Sequence, residues 1–413
     1  MNRRRLHLLL LLSASLTLGG CSEDYYGELR CTGIDTLVVH PRAEIQHITV
    51  IDNEAGMAGM ESLYLGSSGG TRSDFLLEYD FSTFAEDHPD FPDSLIDPDH
   101  IRSVALRLQW LPDAHAGRDT LTSLGVNFEV RALAGGFEEQ DYLTAPGPAA
   151  PLDGPLLNGD TTDPDYENWL YLDLAEGDLV DWVTQRNPVA MVVTAGAGSE
   201  SGLVAFASLE KPHYGYSFAP TIVVRFQDYS VRELLITPAH DTSTFDQVAD
   251  LPPDMIHLQT GLQSYPVLTF DIPPLPAESS NYVMYGFDLF ADHIDTFWSG
   301  SCLELLQLGS GVAEDPADPV LAADLAAAAT SLLRICPGGE AGDDPDHFRS
   351  SEYPRWKPAP PSVTRLLITF SGAFPGYWRS GAGIYLTQST FFGPNATAEL
   401  RPVLLVLTCN LGE

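Results

Sequence analysis

Apolar positions along this chain recur mostly at every second residue, in short runs broken by Gly, Pro, Asp and Asn. In "IRSVALRLQWL" the alternation is Val104, Leu106, Leu108 and Trp110, with Ile101 off that parity, so a strand is expected to begin after Ile101. "VNFEVRAL" sets Val126, Phe128 and Val130 against Asn127, Glu129 and Arg131. A strand with that pattern buries one face and wets the other. "TLVVH", "IQHITVI", "SLYLG", "NWLYLDL", "VAMVVTA", "GLVAFAS" and "PTIVVRF" add short runs rich in β-branched and aromatic residues. In "FLLEYDF", Phe75, Leu77 and Tyr79 share one face and Leu76 joins Glu78 and Asp80 on the other. An apolar residue on the polar face predicts a central strand covered on both sides. "EGDLVDWVTQR" has a helical period, with Leu179, Trp182 and Val183 on one side. Residues 145–168 are rich in Pro, Gly, Asp and Asn and read as a long loop. Short strands, tight turns and one brief helix predict an all-β fold of antiparallel β-sandwiches, jelly-roll-like.

The pattern recurs. "SDFLLEYD", Ser73 to Asp80, aligns without a gap with "SYPVLTFD", Ser264 to Asp271. "NYVMYGFDLFA" stands where "SVALRLQWL" stood, Ile368 to Trp378 repeats Leu172 to Trp182, and "LRPVLLVLT" echoes "FAPTIVVRF", Pro402 matching Pro220. Two tandem sandwiches are therefore expected, over residues 36–228 and 229–413, the second a divergent copy of the first. The second carries an insertion at about 299–361, in which "PVLAADLAAAATSLLRIC" reads as an Ala/Leu-rich helix stopped by Pro337-Gly338-Gly339. Asp80 and Asp271, at the ends of the repeated strand, are expected to cap the following turns by accepting backbone N–H bonds.

The first twenty residues change the setting. Arg3, Arg4 and Arg5 precede an apolar stretch from Leu6 to Leu18, too short for a stable membrane span of roughly 20 residues, and then Gly19 and Gly20. Leu18-Gly19-Gly20-Cys21 resembles the bacterial lipobox. That resemblance implies a signal peptide over residues 1–20, a diacylglyceryl thioether and N-acylation on Cys21, and a lipidated tether over residues 21–35. Several acyl chains on one residue suffice for stable anchoring in a lipid bilayer. Ser22 after the lipidated Cys implies sorting to the outer membrane.

Of five cysteines, four remain after Cys21, and an exported chain oxidises them. Three connectivities are open; the favoured pairs are Cys302–Cys336 and Cys31–Cys409. No CxxC occurs, which removes the usual zinc and thioredoxin-like signatures. The net charge is −36, with only two lysines, Lys211 and Lys357. Such a field repels nucleic acid, anionic membranes and anionic polymers.

Candidate chemistry is sparse. Gly66-Ser67-Ser68-Gly69-Gly70 fits G-x-S-x-G, but a nucleophile elbow needs a helix after it and a strand follows here, so an inter-strand loop is expected. No HExxH and no paired histidines on a helix face occur among eleven histidines. "GDTTDPDYEN" places Asp160, Asp163, Asp165 and Glu167 on one loop, hard oxygens of the kind calcium takes, without EF-hand spacing. No other cofactor is implied. Trp169 and Tyr171 are candidates for stacking on sugar rings, whereas Trp182 and Trp378 read as core. Asn395-Ala396-Thr397 is a glycosylation sequon that a bacterial chain does not use.

"SLYLGSSGGTRSDFLLEYDFS", with Leu63, Leu65, Gly66, Arg72, Leu76, Leu77, Tyr79 and Asp80, followed by "SVALRLQW", "LDLAEGDLVDWV" and "VAFASLE…APTIVVRF", resembles the DNRLRE-type domains of exported bacterial proteins over about residues 45–227. These relate to a carbohydrate-binding module family. The resemblance implies a non-catalytic envelope lipoprotein that binds a neutral glycan or a cell-surface protein through sandwich modules. A purely structural, adhesive or assembly role and a polysaccharide-active enzyme are the alternatives.

Overall fold

The computed structural model describes residues 31–411, apart from 52–58, 112–126, 159–164, 197–201, 211–217, 229–232, 248–253, 261–263, 276–278, 295–300, 339–345, 351–356, 372–386 and the shorter stretches 69, 134, 145–146, 166, 313 and 316–317. These residues are mostly strand, with three short α-helices among them. β1 (Cys31–Val39) and β2 (Gln46–Ile51) come first. The next strands are β3 (Ser62–Ser68), β4 (Thr71–Asp80), β5 (Ile101–Gln109), β6 (Phe128–Ala132), β7 (Leu156–Asn158), β8 (Trp169–Leu174), β9 (Pro188–Ala195), β10 (Gly202–Ala207), β11 (Thr221–Phe226), β12 (Leu234–Ile236) and β13 (His240–Gln247), with α1 (Phe84–Asp87) and α2 (Glu176–Gln185) between them. They form the first sandwich. One sheet runs β10-β3-β4-β9-β6-β7, with β13 also paired to β4; facing it lies β12-β11-β5-β8.

Alternation builds this core as expected. Phe75, Leu77, Phe128 and Phe206 from one sheet meet Leu106, Leu172 and Val224 from the other, all fully buried. The Phe206 ring lies 5.9 Å from that of Phe75 and 5.8 Å from that of Phe128. Burying each of these side chains is worth about 1.5–3 kcal/mol relative to exposure. β4 is central: β13 follows it from Thr71 to Glu78 and β9 from Phe75 to Asp80. Leu76 packs with Val192 under Tyr142 and Ala150, so the segment after β6 covers the outer side of the strand. The G-x-S-x-G stretch is the β3–β4 hairpin, with Gly66 and Gly70 at φ 113° and 77° and Ser67 opposite Arg72. In α2, Leu179 and Val183 are buried and Glu176 and Asp178 sit in the first turn, where they complement the helix dipole. Ile101 belongs to β5, contrary to its parity. The register slips between Arg225, opposite Ser103, and Phe226, opposite Ile101. This bulge leaves Arg102 extra and returns Ile101 to the core.

The second sandwich contains β14 (Met255–Thr260), β15 (Ser264–Asp271), β16 (Ser279–His293), β17 (Leu303–Leu308), β18 (Val320–Leu321), α3 (Ala322–Ala328), β19 (Ala329–Pro337), β20 (His347–Ser350), β21 (Lys357–Pro358), β22 (Val363–Phe370), β23 (Thr387–Phe392) and β24 (Val403–Leu411). The fifteen-residue β16 joins its two layers. β24, with β1 beyond it, and β23, with β14 beyond it, pair with β16; from β20 the order continues β19-β17-β22-β15-β2-β18. Phe270, Phe287, Leu305, Ile368 and Val406 fill the space between.

Three expectations meet a different outcome. Sheet membership does not follow a division at residue 228. β1 and β2 pair with β24 and β15 in the second sandwich, while β12 and β13 pair with β11 and β4 in the first. Each half therefore lends strands to the other, because an open sheet edge is satisfied by whichever strand can reach it. The helix in the insertion ends at Ala328, and Ala329–Pro337 is strand β19. There pairing with β17 on one side and β20 on the other, together with the Cys302–Cys336 disulfide, outweighs helix propensity. Finally, Asp80 caps its turn by accepting the Ser82 N–H at 2.8 Å, but Asp271 does not. It takes a two-pronged contact from Arg42, at 2.9 and 2.7 Å, in the connection between β1 and β2. The pair β5–β11 has a counterpart in β16–β24, whereas β22, aligned with β8, pairs with β15 and β17 rather than with β16.

Candidate binding face

The outer side of β12-β11-β5-β8 is the candidate site. β8 turns Leu170, Leu172 and Leu174 inward, which leaves Trp169, Tyr171 and Asp173 outward. On β5 and β11 the same alternation sends Arg107 and Arg225 outward. The register sets Trp169 opposite Gln109, Tyr171 opposite Arg107 and Asp173 opposite Ala105. Val223 stands opposite both Ala105 and Leu235, and Leu235 is 43 % exposed. The face is thus a ladder of alternating aromatic, cationic and small apolar side chains.

The Arg107 guanidinium lies 4.3 Å from the centre of the Trp169 ring, and that of Arg225 5.4 Å from the Tyr171 ring. Both distances are in the range of a cation–π contact. Arg225 Nε also donates to Glu233 at 2.6 Å. Phe218 flanks Trp169 with ring centres 6.1 Å apart. Arg107 Nε is buried and meets no hydrogen-bond partner among the described residues.

The loop before β8 fixes the tryptophan. Asp165 Oδ1 accepts the N–H groups of Glu167 and Trp169, both at 2.9 Å, and Gln109 Nε2 donates to the Glu167 carbonyl at 2.9 Å. Asn168 takes a left-handed conformation, φ 65°, which lets the chain turn sharply into the strand. Each ring thus carries a guanidinium over one face, and the half-buried pair offers aromatic surface and guanidinium N–H donors together, the latter a match for hydroxyl oxygens.

The other sequence candidates fall elsewhere. Asp165 is engaged in its turn and Asp160 and Asp163 lie outside the described residues. Among the described residues no group of three His, Cys, Asp or Glu side chains is arranged to hold a metal. Trp182 packs partly buried against the core, its ring 6.0 Å from Phe81. Trp378 and Cys21 lie outside the described residues, as do the side chains of Cys31 and Cys409. The backbone of β1 and β24 places Ile34 opposite Cys409 and Cys31 opposite Leu411. Arg72, the arginine of the family resemblance, is engaged on the opposite sheet: its Nε donates to buried Asp74 at 3.0 Å, and Thr194 bridges the two. A shallow cleft of about 240 Å³ beside β17 and β19, lined by Gln307, Gly309, Thr330 and Ser331 among others, carries no ionisable side chain.

One polar cluster was not foreseen. Asp241 on β13 is 1 % exposed. Its Oδ2 accepts the Leu209 N–H at 2.7 Å. Burial, and then the neighbouring Glu210 carboxyl, push Asp241 up to about 8. Burial raises Glu210 as well, and its carboxyl is hydrogen-bonded to that of Asp241. No sequence signal marks this pair: Asp241 stands near the start of β13 and Glu210 in the turn after β10, far apart in the chain. Arg107 and Arg225, by contrast, stand at the polar positions of "VALRLQW" and "TIVVRF"; only the strand register shows that they share a face with Trp169 and Tyr171. Compared with known proteins, the chain matches no family model, and no curated protein matches it significantly in sequence.

Proposed function

We propose that the protein is a non-catalytic lipoprotein of the bacterial envelope, anchored to the outer membrane through acylated Cys21, and that it binds a neutral glycan on the outer face of the first sandwich. The observation that carries this reading is the outward placement of Trp169 and Tyr171 on one strand, each beside an arginine from a neighbouring strand. Pyranose rings offer apolar faces that stack on such aromatics, and their hydroxyls accept hydrogen bonds from guanidinium groups. The charge of −36 disfavours acidic glycans. The lipobox-like run before Cys21 and the DNRLRE-like order of strand motifs support the same reading.

A glycan array probed with the chain from Ser22 onward, with and without calcium, tests it. Binding to neutral glycans is expected without calcium. Trp169→Ala is expected to weaken it on the order of tenfold, equivalent to about 1.4 kcal/mol. An array that stays blank, or binding that Trp169→Ala and Tyr171→Ala leave unchanged, would favour the structural or adhesive role instead.

A further inference from the structure

β16 runs from one end of the second sandwich towards the other. At its start Ser279 stands opposite Asn410 of β24, and Cys31 of β1 stands opposite Leu411. Near its end Ala291 stands opposite Phe391 of β23, and Phe391 opposite Ile256 of β14. Residues 279 to 291 span roughly 40 Å at about 3.3 Å per residue. The chain arriving from Cys21 therefore enters at one end of β16. The chain returning from the first sandwich enters at the other, through the stretch between Gln247 and Met255. The ten-residue step from Cys21 to Cys31 reaches at most about 35 Å. It ties β1, not the first sandwich, to whatever holds Cys21. The net charge of −36 pushes the body away from an anionic bilayer as far as that tether allows.

We infer that the second sandwich is the membrane-proximal body, and that it holds the aromatic face of the first sandwich away from the lipid surface. The inference rests on the anchor at Cys21 proposed above, but not on the nature of any glycan. Although the first sandwich comes first in the sequence, the pairing of β1 with β24 makes it the outer one.

Energy transfer to lipid headgroups tests this. The full-length acylated protein is reconstituted in phosphatidylethanolamine/phosphatidylglycerol vesicles carrying a rhodamine-headgroup lipid. Donors are attached to Thr36→Cys or Val38→Cys on β1, or to Asp173→Cys or Leu156→Cys in the first sandwich. All four positions are exposed. Wild type labelled in the same way supplies the background. Transfer from the β1 positions is expected to exceed that from the first sandwich at least twofold. Equal or reversed transfer in a protein that floats with the vesicles overturns the inference alone. A wild type that does not float, or that behaves like Cys21→Ser, overturns the anchor and the inference with it.

Discussion

The first sandwich buries an acid where the second half-buries a base, and in both cases the group rides on a strand donated by the other half of the chain. Asp241 sits on β13, which lies along β4. His47 sits on β2, which lies along β15, and its imidazole is pushed down by burial and then by the nearby His257, itself 4 % exposed. A donated strand closes an open edge, and residues that it turns towards its new neighbours lose contact with water whatever their chemistry. The two sandwiches thus share an architecture, but the strands they exchange carry groups whose burial opposes folding in opposite directions of pH, Asp241 as pH rises and His47 as it falls.

Removing the exchange has the largest expected effect. A chain lacking residues 31–51 loses Val39, Ile48, Val50 and Ile51 from the second core. At about 1.5–3 kcal/mol each this approaches the whole stability of a typical domain, roughly 5–15 kcal/mol. Scanning calorimetry is expected to show the second sandwich's transition abolished and the first's retained. If both transitions survive, β1 and β2 are accessory strands and the contrast between the halves loses its basis.

Asp241→Asn comes next. A carboxyl raised from 3.8 to about 8 in the folded state keeps a proton that the unfolded chain has released, so its burial costs stability increasingly as pH rises from about 4 to about 8. The amide keeps an acceptor for the Leu209 N–H and carries no charge. The variant's first transition is expected to match wild type at pH 4 and to exceed it by several degrees at pH 8. A wild-type transition that is flat over this range would show that the pair is not protonated as described.

The mirror experiment concerns His47 and is smaller, because the group is only partly buried. A base with a lowered folded-state pKa is neutral in the fold while the unfolded chain takes up a proton near 6.5, so stability falls as pH drops below that value. The second transition is expected to decline on acidification from pH 7 to pH 5, and His47→Gln is expected to flatten that slope. Together the two variants should reduce the pH dependence of the difference between the two transitions.

Much of this was visible in the chain, and what was not had a common cause. Alternation in "VALRLQW" and "NWLYLDL" fixes which residues face inward, and so it also places Trp169 and Tyr171 on a solvent side. Ile101 defied its parity because a bulge depends on the partner strand: Arg225 and Phe226 stand opposite Ser103 and Ile101 and leave Arg102 extra. Thr330 to Ile335 read as helix because Ala-rich neighbours dominate local propensity, whereas the pairing with β17 that makes it strand is a tertiary fact. The strand exchange and the Asp241–Glu210 pair likewise arise between segments far apart in sequence, where periodicity carries no information.

The smallest effect separates two residues that alignment treats as one. Asp80 and Asp271 both end the repeated strand, yet one accepts a backbone N–H and the other an arginine. The Ser82 hydroxyl and N–H hold the Asp80 carboxyl below its usual range, and Arg42 does the same for Asp271. An amide can replace a carboxylate as an acceptor from N–H but cannot balance a guanidinium. Asp80→Asn is therefore expected to leave the first transition unchanged, and Asp80→Ala to lower it slightly. For Asp271 the pair is solvent-exposed, so asparagine and alanine should behave alike, each with a marginal effect that vanishes in 1 M salt. Melting curves of these four variants at low and high salt distinguish the roles. If Asp271→Asn is silent at low salt while Asp271→Ala is not, Asp271 acts as a turn cap after all, and the two strand ends are alike in function as well as in sequence.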